Sequence, residues 1–210
     1  MSYYFLSVVL GYFIGSLPTA YLLVKWKSRL DIREAGSGNV GAMNTYDVTK
    51  SKAVSIAVLV IDVLKGMSAV VLSAALFTAG FWTMALAGCG AILGHNYSPW
   101  LKFKGGRGLA TATGVMFVMA WFLVVIWCGI WAITYRASKN IHLGNVVACI
   151  IMPVVVVLLP ESFLERMVKS YEGFASFFIF VLVVSFFLLL SHRQPIIELW
   201  KTYIKTSTAG

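Results

Sequence analysis

Residues 110–134 read ATATGVMFVMAWFLVVIWCGIWAIT, a run without one charged side chain. About 20 apolar residues cross the roughly 30 Å hydrocarbon of a bilayer. This run is therefore either one long tilted helix or two short helices in a tight hairpin. The choice puts everything after it on one side of the membrane or the other. The other apolar segments are 3–24, 53–79, 81–94, 143–160 and 174–191. With Met1 outside and 110–134 as one helix, eleven basic residues fall inside and five outside. As a hairpin, fourteen fall inside: Lys25, Lys27, Arg29, Arg33, Lys50, Lys52, Lys102, Lys104, Arg107, Arg136, Lys139, Arg193, Lys201 and Lys205. Only Arg166 and Lys169 then stay outside, and Lys65 lies in the membrane. Lysine and arginine are retained on the cytoplasmic side, so the hairpin is preferred. The expected fold is an all-α polytopic membrane protein with seven transmembrane helices, some short. Its N-terminus is outside and its C-terminus cytoplasmic.

Composition supports lipid as the solvent. The chain is 60% hydrophobic and 12% charged, with a mean hydropathy of +0.85. A soluble domain of this size could not bury that much apolar surface. The formal charge of +9 belongs to loops, where it attracts anionic lipids and phosphorylated substrates. No soluble basic domain is present to bind nucleic acid. Cys89, Cys128 and Cys149 lie in apolar runs without metal-site spacing and read as small hydrophobes. Gly11 and Gly15 frame a close-packing pattern in the first segment. With no repeat and no low-complexity stretch, residues 1–210 read as a single membrane domain, its tail from Arg193 fraying.

Two loops on the cytoplasmic side carry the polar chemistry. Gly36-Ser37-Gly38-Asn39-Val40-Gly41-Ala42-Met43-Asn44 is a glycine-rich loop whose backbone donors could wrap an anion, or an ordinary turn. The second loop, Gly94-His95-Asn96 through Lys104-Gly105-Gly106-Arg107-Gly108, sets cations among glycines and suits a phosphate at a membrane surface. Neither has Walker A spacing, and no strand precedes the first. Asp62 and Lys65 share one helical face inside an apolar segment. They neutralise each other to orient the helix or contact substrate directly, and Lys65-Gly66 near the inner end could help line a polar cavity. His95 could serve as base, phosphate ligand or loop anchor. No histidine has an aspartate five residues on, and no Gly-x-Ser-x-Gly elbow occurs. The sparse histidines and carboxylates argue against a metal site.

These residues resemble a known family. The first loop, then Asp62-Val63-Leu64-Lys65-Gly66, then His95-Asn96 through Lys104-Gly105-Gly106-Arg107-Gly108-Leu109-Ala110-Thr111, and finally His192-Arg193 look like the bacterial PlsY acyltransferases. The resemblance implies a multi-pass protein of the bacterial inner membrane, its active site facing the cytoplasm. It implies transfer of an acyl group from acyl phosphate to glycerol 3-phosphate, giving lysophosphatidic acid and phosphate, as the first step of phospholipid synthesis. By the same resemblance Ser37, Gly38, Asn39 and Gly41, with Lys104, Gly105, Gly106 and Arg107, cradle phosphate. His95, Asn44 and His192, together with Lys104, orient the acceptor or stabilise the transition state. No cofactor is implied. The partners are the two substrates and the lipid bilayer, with no nucleic acid, and a monomer is compatible with every feature noted.

The chain also departs from that family. Met43 stands for a threonine, Asp47 for a basic residue, His142 and Asn145 for two serines, and Pro195 for an asparagine. Two alternatives follow. One is a non-catalytic paralogue that binds acyl phosphate. The other is a small anion transporter, against which the absence of repeated halves argues.

Overall fold

The computed structural model describes residues 2–207. All regular structure among them is helical. The helices are α1 (Ser2–Gly15), α2 (Thr19–Ser28), α3 (Ala42–Thr49), α4 (Lys52–Leu76), α5 (Phe81–Asn96), α6 (Leu109–Ser138), α7 (Ile141–Leu158), α8 (Glu161–Met167), α9 (Phe174–Ser191) and α10 (Arg193–Ser207). Among the described residues, five stretches are long and apolar enough to cross a membrane: α1 with α2, α4, α6, α7 and α9. The apolar segments read from sequence match these elements to within a few residues. Two differences have local causes. The first segment breaks at Ser16-Leu17-Pro18, because the proline cannot extend α1. The tail expected to fray is helical through Ser207, with Pro195 in its first turn, where no amide donor is required.

The 110–134 run does not form one uninterrupted helix. At Ala120 the backbone turns to φ −161°, ψ 68°, breaking α6. The chain forms two compact units that divide there. The first contains residues up to Ala120 with Val168–Tyr171, and the second Trp121–Met167 and the residues from Glu172.

In the first unit α5 is the centre. It is only 16 residues long, about 24 Å, and buried along most of its length. Glycine lets α1 lie directly on it. A methyl group at Gly11 or Gly15 would run into the carbonyls of Ala87 and Ala91. One at Gly90 or Gly94 would meet those of Val8 and Tyr12. The close-packing pattern read around Gly11 and Gly15 is thus real, and α5 answers it with glycines of its own. Gly66 and Gly114 give α4 and the start of α6 the same approach, against Thr111 and Val63. Helices without a hydrophobic drive between them associate through such small-residue contacts.

The second unit packs α7 against α9 and sets α10 on both. Asn140 caps α7, its Oδ1 accepting from the amides of His142 and Leu143. Trp131 stacks on Tyr135, ring centroids 5.3 Å apart, beside Gly144, whose missing Cβ leaves room for the indole.

Candidate functional site

The first glycine-rich loop is fixed from both ends. At its start Asp31 accepts from the Arg33 amide and from the guanidinium, Nη2 lying 2.6 Å from Oδ2. Those hydrogen bonds, the side-chain one foremost, hold the Asp31 carboxyl down at about 2. Arg33 also lies over the Tyr21 ring, 5.3 Å from its centroid. At the far end Asn44, in the first turn of α3, turns back into the loop. Its Oδ1 accepts from the Ser37 amide at 2.9 Å. Its Nδ2 donates among the carbonyls of Ile32, Ala35 and Asn39 at 3.0–3.2 Å. Asn44 is only 1% exposed. Gly36 and Gly38 take left-handed φ values of 59° and 71°, which the tight path of the loop requires.

The second loop doubles back on the end of α5. Gly105 N donates to Asn96 O and Gly106 N to His95 O, each at 3.0 Å. Ser98 Oγ donates to Ser16 O at 2.7 Å and Trp100 Nε1 to Ser16 Oγ at 3.0 Å, tying the loop to the end of α1. Gly106 is where the two loops meet. A methyl there would strike His95 Nε2 and the carbonyl of Val40.

This corrects one expectation about how the loops work. The amides of Gly38, Gly41, Gly105 and Gly106 donate to Ala35, Asn39, Asn96 and His95 carbonyls, and that of Ser37 to Asn44. These five amides are occupied within the loops and are not open to an anion. Of the polar side chains on the two loops, Ser37 and Lys104 are exposed and Asn39 and Arg107 half-buried. The glycines are there for close approach. Asn44 likewise is spent on the loop itself.

Beneath the loops lies a buried polar cluster. Asp62 Oδ1 and Lys65 Nζ form an ion pair at 2.8 Å, and Nζ also donates to Leu17 O at 3.2 Å. His95 Nδ1 lies 3.8 Å from the same Asp62 oxygen, too far for a direct hydrogen bond. Asp62, Lys65 and His95 line a cavity with Ser16–Ala20, Val40, Ser98 and Leu101. It has about 10 Å³ for the centre of a water molecule, which is about one water. The His95 ring therefore faces the acid with Nδ1 and the loop junction with Nε2.

Two further residues stand out to which the sequence assigned no role, although Asn145 was noted as a departure from the family. The side chain of Asn96 is 5% exposed, and neither its Oδ1 nor its Nδ2 has a hydrogen-bond partner among the described residues. Such groups ask for a ligand or water. Only its place between His95 and the basic loop marked it. The other is Asn145, in the second unit with His192. His192 Nδ1 lies 2.7 Å from Leu188 O, so this nitrogen carries the proton, since a carbonyl only accepts. Nε2 lies 3.4 Å from Asn145 Nδ2, which donates to it. His192 is 1% exposed. The first unit thus gathers Ser37, Gly38, Asn39, Gly41, Asn44, Asp62, Lys65, His95, Lys104, Gly105, Gly106 and Arg107, and the second holds His192.

Cation-bearing glycine loops over a buried charge cluster, on a body of apolar helices, define an integral membrane protein built to handle small anions. Comparison with known proteins makes this specific. The sequence pattern of the family described as glycerol-3-phosphate acyltransferase matches residues 5–202. A glycerol-3-phosphate acyltransferase of Synechococcus sp. is 37% identical over 71% of this chain and 74% of its own length. Glycerol-3-phosphate acyltransferase 2 of Moorella thermoacetica is 43% identical over 72% of this chain and 77% of its own. The crystal structure of PlsY, an integral membrane glycerol 3-phosphate acyltransferase, in its glycerol 3-phosphate form superposes with a TM-score of 0.78 at 25% identity. That match covers 95% of this chain and 92% of the other. The chain belongs to the glycerol-3-phosphate acyltransferase family.

Proposed function

We propose that this protein transfers a fatty acyl group from acyl phosphate to glycerol 3-phosphate, releasing lysophosphatidic acid and inorganic phosphate. The acceptor hydroxyl oxygen bonds to the acyl carbon, the bond from that carbon to the phosphate oxygen breaks, and the hydroxyl proton leaves with the phosphate. A mixed anhydride is already activated, so the protein need supply no covalent nucleophile. It must hold two anionic heads together and stabilise the developing oxyanion. The observation that carries this reading is the junction at Gly106, where the Ser37–Asn39 loop and the Lys104–Arg107 loop meet over His95.

In this reading Ser37, Asn39, Lys104 and Arg107 hold phosphate by their side chains. Gly38, Gly41, Gly105 and Gly106 let the loops close on it. Asn44 keeps the first loop in shape. His95, held over Asp62 and Lys65, faces the reacting groups with Nε2. His192 positions the acceptor, with Asn145 in place of the family's serine. Asp47 is exposed on α3, where solvent screens its charge, which supports activity despite the missing cation.

The whole chain acts as one domain of the bacterial inner membrane with seven spans. The break at Ala120 supports counting 110–134 as two short helices, which completes seven with α1, α4, α5, α7 and α9. The resulting division of charge, fourteen basic residues inside against two outside, supports an active site facing the cytoplasm.

The test is lysophosphatidic acid formation by purified protein given palmitoyl phosphate and glycerol 3-phosphate, with Lys104→Ala as control. Product that falls at least a hundredfold in the variant bears the proposal out. Acyl phosphate binding without product from folded protein overturns it in favour of a binding paralogue. Glycerol 3-phosphate flux into liposomes without product overturns it in favour of a transporter.

A further inference from the structure

α10 follows the spanning helix α9 with only His192 between them, and His192 O accepts from the Ile196 amide at 3.0 Å. The helix therefore starts where the hydrocarbon ends. Pro195 is buried and Ile196 half-buried on the side that meets α7 and α9. A different side carries Ile197, Trp200 and Ile204, which are 45%, 64% and 43% exposed. Spacings of three and four place these on one stripe. The segment 193–205 has three cations, Arg193, Lys201 and Lys205, against the single carboxylate of Glu198.

We propose that α10 lies along the membrane surface as an interfacial helix on anionic phospholipid. Its Ile197–Trp200–Ile204 stripe sinks among the upper acyl chains, and Lys201 meets the lipid phosphates. Amphipathic helices with basic flanks seat at this depth. Tryptophan is the side chain best suited to it, with an apolar ring and a polar N–H. The occupant is lipid because the helix emerges at the bilayer border and carries an excess of positive charge, which a phospholipid leaflet complements. Placing it on the cytoplasmic leaflet rests on the orientation proposed above. The seating does not, and symmetric nanodiscs read it alone.

The experiment puts the full chain in nanodiscs of phosphatidylcholine with phosphatidylglycerol. It takes the fluorescence difference between the wild type and Trp200→Phe as the signal of Trp200. Lipid brominated near the headgroup end of its chains should quench that signal, and aqueous iodide should not. Quenching by iodide alone overturns the seating. Quenching by neither overturns it as well, because a protein surface then covers the stripe. Glu198→Trp in the Trp200→Phe background moves the reporter off the stripe and should exchange lipid quenching for iodide quenching. For the charge, Lys201→Glu should weaken seating at least fivefold in the anionic discs and hardly at all in phosphatidylcholine alone. Equal loss in both overturns the preference for anionic lipid.

Discussion

Asn44 is a small residue with a large structural task. It satisfies one amide and shares its own donors among three carbonyls of one loop. Asn44→Ala orphans these groups, at a cost of about 1–3 kcal/mol for a buried one. We expect a lower melting temperature and a raised KM for glycerol 3-phosphate, with Asn44→Asp partly restoring the Ser37 contact. Lost activity with unchanged melting temperature and KM would show direct participation in chemistry instead. The buried pair gives a second expectation. Asp62→Asn or Lys65→Met alone leaves an uncompensated charge, costing about 3–5 kcal/mol. Thermal unfolding should show the double variant more stable than either single one, and simple additivity would contradict the pairing. Asp31 titrates with a definite sign. Its carboxyl is held at about 2 in the folded chain against 3.8 for the free group. Its contribution to the loop is therefore complete above about pH 4 and is lost as the pH falls towards 2. It faces solvent, so the effect is small and local. The protection of the Arg33 amide against hydrogen exchange, taken relative to the intrinsic rate at each pH, should fall over that window, and Arg33→Gln should weaken the step.

At the scale of helices, the glycines of α1 and α5 set how near two backbones come. Gly11→Ala puts a methyl group against the Ala87 carbonyl, and overpacking of this kind costs about 1–3 kcal/mol. Gly129→Ala meets nothing within 4 Å and should be neutral or slightly stabilising, as alanine favours helix over glycine. Melting temperatures of the two variants side by side check this, and equal losses would mean that close approach is not the cause. The glycine pattern of α1 was legible in the sequence because small residues four apart can serve little else in a lipid-embedded helix. The break in α6 was legible only indirectly. Ala120 is neither glycine nor proline, so no residue type marks the place. The tail from Arg193 was expected to fray on its small polar end, and its helix shows only once Pro195 is placed in the first turn. The direction in which the loop amides point was not legible at all. It depends on which carbonyls the fold brings beside them, and composition says nothing of that.

For the molecule as a whole, sidedness is the sharpest expectation. A cysteine at Lys169 should react with a membrane-impermeant maleimide in intact cells, and one at Lys104 only after the membrane is opened. The reverse pattern would invert the orientation, and equal labelling of both would remove a span. Lys169 suits the purpose. Its amide donates to Met119 O at 2.8 Å, so its place is set by the backbone, and its side chain is exposed.

The interlock of α1 with α5 also puts the assembly of the chain on a clock. Ala87 leaves the ribosome 76 residues after Gly11, its counterpart. At about 5–20 residues per second that is an interval of about 4–15 s. Through it the first helix stands in the bilayer with its grooved face turned to lipid tails or to the insertion machinery, while α4 is made and threaded beside it. Helix α1 thus cannot finish packing before α5 is made, and a nascent chain halted before α5 would be left with an unmatched surface for quality control to grip.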